Sequence, residues 1–170
     1  MISNASVIIH FIRLARFSLL KELYGKILIP RAVHREIFEK PRFPPSEILF
    51  IEDALREGWV EVRSIREEYK GLAENLRRSL GEGEAEALTL CIQENEKTLL
   101  CSDRKVMHFA DDLGINWKST LGVLLEALIL NKISPESYES LVIRYEEVAW
   151  VSKEVIHEYL EIGKRLKKNQ

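Results

Sequence analysis

The order of apolar and polar positions predicts short buried strands that alternate with amphipathic helices. Strand-like apolar runs lie at 26–29, 59–62, 98–101 and 115–118, after a first strand that ends at Asn4. Helical spacing of apolar residues fills most of the intervals between them. Strands that alternate with helices indicate βαβ units, a parallel sheet and right-handed crossovers. The chain is therefore predicted to be an α/β protein.

The predicted helices occupy most of the chain. They lie at 7–14, 17–24, 30–39, 47–57, 84–94, 105–113, 120–130, from 134 onward, and 153–166. The segment 67–80 is rich in Arg and Glu, which predicts an exposed helix or a partly ordered arm. Prolines predict a loop at 41–45, and the last residues, 167–170, are expected to fray.

Composition and charge limit the kinds of protein that this chain can be. A chain of 170 residues with 46% apolar content fits one domain with a full core. No apolar stretch is long enough to span a membrane, and Asn4, His10 and Arg13 interrupt the N-terminus, so a cytoplasmic protein without a membrane partner is expected. The net charge of −2 gives no global positive field. Cys91 and Cys101 are isolated in apolar runs and are predicted to be reduced core thiols.

Acid, amide or hydroxyl side chains follow several strand-like runs or begin helices. These candidate residues are Asn4, Glu36, Glu84, Glu86, Asp103 and Thr120. In open α/β sheets, ligands bind outside the carboxyl ends of the strands. Carboxylates gathered at that edge would attract Mg²⁺ or Mn²⁺, which prefer oxygen ligands. The pattern therefore suggests metal-dependent phosphodiester chemistry.

Helical geometry separates two of these acids. Glu84 and Glu86 point about 200° apart on a helix, so only one of them can face a common site. Glu84 shares a stripe with Ala87, Leu88 and Cys91, which favours Glu84 as the inward residue. Both glutamates also suit the first turn of a helix, where a negative charge complements the helix dipole.

The other candidates have structural alternatives as well. Asp103 follows a buried strand, and it suits equally the N-cap of the next helix. Asn4 can cap a helix or offer its amide oxygen to a cation, and Thr120 can cap a helix or bind a carboxylate or phosphate. Glu36 borders a buried stripe, although an exposed helical glutamate is the commoner case. His10 is interpreted as an ordinary helix residue.

Taken in order, these segments resemble the PIN-domain family, specifically its prokaryotic branch related to VapC toxins. The matching segments are SNAS at 3–6, LIP at 28–30 continuing to Glu36, GEAEA at 83–87, SDR at 102–104 and TLGVLL at 120–125. The resemblance implies a three-layer α/β/α fold with a central parallel sheet. It places a PIN-like domain at 1–130 and a C-terminal helical extension at 131–170, packed on the same domain.

The resemblance also implies a function. Its relatives are Mg²⁺- or Mn²⁺-dependent endoribonucleases, commonly the toxin of a toxin–antitoxin pair, so an RNA substrate, an antitoxin partner and a homodimer are expected. The metal would be held by Glu36, by Glu84 or Glu86, and by Asp103. Asn4, at the position of the family's first aspartate, and Thr120 would position water or phosphate.

Two departures from the family pattern support other hypotheses. Asn4 and Ser102 each stand where relatives have an aspartate, which removes two negative charges from the implied metal site. A second hypothesis is therefore a degenerate PIN domain that binds RNA or a partner protein without cleavage. A third is an assembly role in which the apolar helix at 120–130 forms a dimer interface.

Overall fold

The chain folds around a five-stranded sheet with helices on both faces. The computed structural model describes residues 1–39 and 43–168. The strands are β1 (Ile2–Ser3), β2 (Ile27–Pro30), β3 (Val60–Arg63), β4 (Thr98–Leu100) and β5 (Asn116–Lys118). They are ordered β3-β2-β1-β4-β5, and each paired neighbour is parallel. The predicted α/β class and three-layer α/β/α architecture are confirmed.

The helices lie close to their predicted positions. In the described part of the chain they are α1 (Ala5–Arg13), α2 (Ser18–Tyr24), α3 (Arg31–Glu39), α4 (Pro45–Arg56), α5 (Lys70–Arg77), α6 (Glu82–Gln93), α7 (Arg104–Asp112), α8 (Thr120–Ile129), α9 (Pro135–Val148) and α10 (Lys153–Lys168), with a 3₁₀ helix at Glu67–Tyr69. The predicted loop at 41–45 and frayed end at 167–170 fall partly outside the described residues.

The segment at 67–80 was expected to be an exposed helix or a partly ordered arm. It forms the 3₁₀ helix and α5, most of whose residues are exposed, and Ala73 and Leu76 of α5 are buried. Leu76 belongs to the core beneath α6. Its Arg- and Glu-rich composition describes only the outer face of this helix.

Alternation along the strands divides the apolar residues between two cores. Ile27 and Ile29 of β2 face the core formed with α1, α8 and α9, while Leu28 packs against the core formed with α5, α6 and α7. Cys91 and Cys101 are free and buried in the second core. Burial raises the pKa of both thiols to about 12.

The C-terminal helices share the first core. Tyr138, Leu141, Val142 and Tyr145 of α9 are buried in it, together with Ile156 of α10. The domain division at residue 130 stays a prediction. No helix in the described part of the chain is both long and apolar enough to cross a bilayer.

The strand order places a ligand-binding edge beside β1. Ile2 and Ser3 pair with Leu99 and Leu100 of β4, and β2 lies on the other side of β1. The strand order therefore reverses at β1, and in parallel sheets such a switch point opens a crevice at the carboxyl ends of the strands.

Candidate functional site

Asn4 lies at the carboxyl end of β1, and it is only 4% exposed. Its backbone N–H donates to the carbonyl of Leu100 at 3.1 Å, which extends the pairing of β1 with β4. Its side-chain Oδ1 accepts a hydrogen bond from the Ser6 hydroxyl at 2.7 Å. Asn4 occupies the N-cap position of α1, but its side chain makes no capping hydrogen bond to the helix backbone.

Next to this strand end, four neutral side chains form a group that we call the hydroxyl cluster: His10, Ser102, Thr120 and Tyr145. The Nδ1 of His10 lies 3.0 Å from the Thr120 Oγ1 and 3.2 Å from the Tyr145 hydroxyl. The Ser102 and Thr120 hydroxyls are 3.2 Å apart. Four elements (α1, α8, α9 and the segment after β4) thus join their polar groups at one point.

The cluster is held in an uncharged state. Burial, and to a smaller extent the positive charge of Arg13, lowers the pKa of His10 to about 4. Burial also raises the pKa of Tyr145. Near neutral pH the imidazole is therefore neutral, and its Nδ1 accepts a hydrogen bond from a neighbouring hydroxyl or donates one, according to the tautomer.

Two of the predicted acids, Glu36 and Glu86, lie about one helical turn apart at the interface where α3 packs on α6. The Glu86 carboxylate accepts from the Ala32 N–H at 2.9 Å, in the first turn of α3, and from the Arg77 guanidinium at 2.6 Å. Glu36, on the next turn of α3, approaches the same helix. Its Oε2 lies 3.0 Å from the position that a Cβ on Gly83 would occupy.

Of Glu84 and Glu86, Glu86 is the more buried, at 7% exposed, and it faces α3. Glu84 lies on the side of Cys101, because its charge and that of Asp103 add to the effect of burial in raising the pKa of this thiol. Which of the two acids faces the candidate site stays a prediction. Glu84 accepts from the Gly81 N–H at 2.9 Å and closes the first turn of its own helix. Apolar periodicity does not separate the two acids, because α6 is buried on almost every side. Its buried residues are Gly83, Ala85, Glu86, Ala87, Leu88, Thr89, Leu90, Cys91 and Gln93.

Asp103 and Thr120 also have local roles. Asp103 is exposed and caps α7, because its Oδ1 accepts from the backbone N–H groups of Lys105 and Val106 at 2.7 and 3.2 Å. Ser119, rather than Thr120, is the N-cap of α8. Thr120 is fully buried and directs its hydroxyl into the hydroxyl cluster.

Several of the predicted metal ligands are already engaged in other contacts. Asn4, Ser102 and Thr120 offer neutral oxygens that already share hydrogen bonds. The carboxylates of Glu86 and Asp103 are held by Arg77 and by backbone amides. Among residues 1–39 and 43–168, no three His, Cys, Asp or Glu side chains gather in a way that could hold a metal ion. Mg²⁺ is usually held by one or two carboxylates together with waters and substrate phosphates. Metal binding here would therefore compete with the contacts that engage Glu86 and Asp103.

The sequence did not predict that His10, Tyr145 and Arg77 lie at this edge of the sheet. The position of His10 could have indicated a buried polar role, because it interrupts the apolar run 7–12 of a helix that is buried on several sides. Tyr145 had none, since nothing in its own helix indicates that it reaches β4 and α8. Arg77 is one of many surface arginines until its contact with Glu86 is known.

Beside the charged pair lies a second feature, which we call the basic groove: Arg31, Arg35, Lys70 and Arg77. These residues line a cavity of about 380 Å³ with Ser64, Glu74 and Glu86. Arg31 and Arg35 continue into a neighbouring cavity of about 640 Å³. Arg35 and Arg77 pair with Glu82, whereas no described acidic side chain pairs with Arg31.

A parallel sheet in this order, with polar groups at its switch point, defines a three-layer α/β/α domain with a ligand-binding edge. A family model described as the PIN domain matches residues 1–168. The chain belongs to the PIN-domain family, and the match includes α9 and α10. PIN domains are in general nucleases, which indicates a nucleic-acid ligand. No curated protein and no solved structure matches the chain.

Proposed function

We propose that this PIN domain binds single-stranded RNA at the carboxyl edge of its sheet without cutting it by a metal-dependent reaction. The observation that carries the proposal is the hydroxyl cluster. Neutral, mutually hydrogen-bonded side chains stand beside Asn4, where the resemblance implies acids that hold Mg²⁺. A binding function needs no such acids.

The basic groove supplies the attraction for the RNA backbone. Four cations line the first cavity, but three of them have acidic partners: Arg35 and Arg77 pair with Glu82, Arg77 also pairs with Glu86, and Lys70 pairs with Glu67. Arg31 has no acidic partner among the described side chains, and Arg31 and Arg35 line both cavities, so we assign the phosphate contacts to these two residues. Phosphate contacts by Arg and Lys dominate nucleic-acid affinity and make it depend on salt.

Binding of a fluorescently labelled single-stranded RNA, measured by anisotropy over a series of salt concentrations, tests the proposal. We expect affinity to fall as salt rises and to be the same with EDTA or with Mg²⁺. The double variant Arg31→Ala/Arg35→Ala should reduce the slope of log K against log salt by about 1.4, which is 0.7 for each lost phosphate contact.

The control is Arg144→Ala/Arg165→Ala, which removes the same charge from exposed positions on α9 and α10. It should leave the slope near that of the native chain. Failure to bind RNA at low salt, or binding that disappears with EDTA, would contradict the proposal.

A metal-dependent ribonuclease is the second candidate, and the position of Glu36 favours it. Glu36 lines a cavity of about 360 Å³ with Ser6 and His10, beside the end of β1. Mn²⁺-dependent cleavage of RNA that is lost in both Glu36→Gln and Asp103→Ala would support this activity. Equal cleavage by the native chain and both variants would count against it. The VapC-like toxin role, the antitoxin partner and the homodimer stay predictions.

A further inference from the structure

We propose that a pocket beside the hydroxyl cluster binds one nucleobase of the RNA strand by stacking, an inference that rests on the proposed function. The pocket has a volume of about 570 Å³ and lies between the end of β4, the first turn of α7, β5 and the connection from α9 to α10. We call it the aromatic pocket and define it by Trp117, Tyr145, Trp150 and Tyr159.

Two large aromatic side chains in this pocket are open to solvent. Trp150 is fully exposed and Trp117 is 39% exposed, whereas Trp59, the third tryptophan, is 7% exposed and belongs to the core. The Trp117 Nε1–H donates to Asp111 at 2.9 Å, which anchors its indole. Exposed indoles offer stacking surfaces, and stacking accepts any base because every base has a π face.

The charge at the rim identifies the occupant. Arg104 and Lys105 line the same pocket, and neither side chain pairs with an acid in the described residues. The carboxylate of Asp103, also in the lining, is engaged by two backbone amides. Aromatic faces combined with unpaired cations suit a base together with its phosphate, and they suit a purely apolar segment of protein less well.

The pocket is continuous with the edge already described. Ser102 and Tyr145 belong to both the hydroxyl cluster and the pocket lining. Ser119 and Ser152 add hydroxyl groups that can hydrogen-bond the edge of a base. A base seated here would lie directly beside the carboxyl end of β4, while the basic groove lies on the β2 side of the same edge.

Tryptophan fluorescence measures this contact directly. We expect an oligouridylate to quench the emission of the native protein and to bind about tenfold more tightly than an abasic oligonucleotide of the same length, since stacking contributes a free energy of this order for each base. In Trp150→Leu this preference should disappear, and Trp150→Phe should retain most of it. The salt dependence should not change, because no charge is removed.

The control is Phe50→Leu, which alters an exposed aromatic residue on α4, outside the pocket. It should keep both the quenching and the preference. An unchanged preference in Trp150→Leu, or quenching by an apolar peptide and not by RNA, would overturn the aromatic pocket while leaving RNA binding in place. Absence of any RNA binding by the native chain would overturn the proposed function itself.

Discussion

The two halves of the carboxyl edge, one beside β1 and β4 and the other beside β2, stabilise their polar groups in different ways. Beside β1 and β4, the His10, Thr120 and Tyr145 side chains are neutral and pair with one another beneath α9. Beside β2, the Glu86 carboxylate is paired with Arg77, whose side chain is 38% exposed. The half beside β1 and β4 is therefore stabilised by neutral hydrogen bonds beneath α9, and the half beside β2 by a buried carboxylate whose cationic partner reaches water. We call them the covered half and the open half.

This difference follows from the free energy of burial. An ionised group transferred from water into a covered site is strongly destabilised unless it is paired and hydrogen-bonded, whereas a hydroxyl needs only one partner. In the covered half, the hydroxyl cluster supplies these partners. We therefore expect added charge or volume in the covered half to lower the free energy of unfolding more than the loss of one ion-pair partner does in the open half.

The largest expected effect comes from protonating His10. Its pKa is lowered to about 4 in the folded state from 6.5 in the unfolded chain. Between these values the unfolded chain binds more protons, so the free energy of unfolding falls as pH falls through this window. The loss should reach about 2–3 kcal/mol at pH 4, measured by urea unfolding at several pH values.

The variant His10→Gln should remove most of this acid dependence, although it will also lower stability at pH 7. His108→Gln provides the comparison, because His108 is exposed on α7. That variant should keep the native slope between pH 6.5 and 4. An equally steep loss in His10→Gln would show that other groups cause the acid sensitivity.

A smaller effect is expected from added volume beneath the helices that cover the cluster. A Cβ on Gly163 of α10 would lie 2.4 Å from the Cε1 of Tyr138, a buried ring on the helix that carries Tyr145. Gly163→Ala should lower the free energy of unfolding by about 1–2 kcal/mol, because overpacking outweighs the helix propensity gained from alanine. Thermal unfolding measures this change.

The matched substitution is Gly71→Ala in α5, the helix that carries Arg77. Nothing lies within 4 Å of the position that its Cβ would occupy. This variant should be as stable as the native chain or more stable, by up to about 1 kcal/mol. If both alanines act alike, helix propensity alone explains the result, and the close contact with Tyr138 has no consequence.

Much of the fold followed from local patterns. Strands β2 and β4 were predicted because each is a short apolar run, and the predicted helix boundaries lay within a few residues of those observed. The choice at 67–80 between an exposed helix and a partly ordered arm stayed open, because a helix that buries only Ala73 and Leu76 has few apolar residues to indicate its inner face.

The site was less predictable, because its contacts join residues that are far apart in the chain. His10 and Tyr145 are separated by 135 positions, and Ala32 and Glu86 by 54. The choice between Glu84 and Glu86 depended on which side of a nearly fully buried helix meets α3. Neither periodicity nor spacing contains that information.

The smallest expected effect tests the open half. Arg77→Ala leaves the Glu86 carboxylate with the Ala32 amide as its hydrogen-bond donor among the described residues, but water can replace the partly exposed guanidinium. We therefore expect a loss of only about 1 kcal/mol in the free energy of unfolding, well below that of a fully buried pair. Arg78→Ala, at the adjacent exposed position, should change it by less than about 0.5 kcal/mol. A loss from Arg77→Ala as large as that from protonating His10 would mean that water does not replace the guanidinium beside Glu86, and the contrast between the two halves would then be wrong.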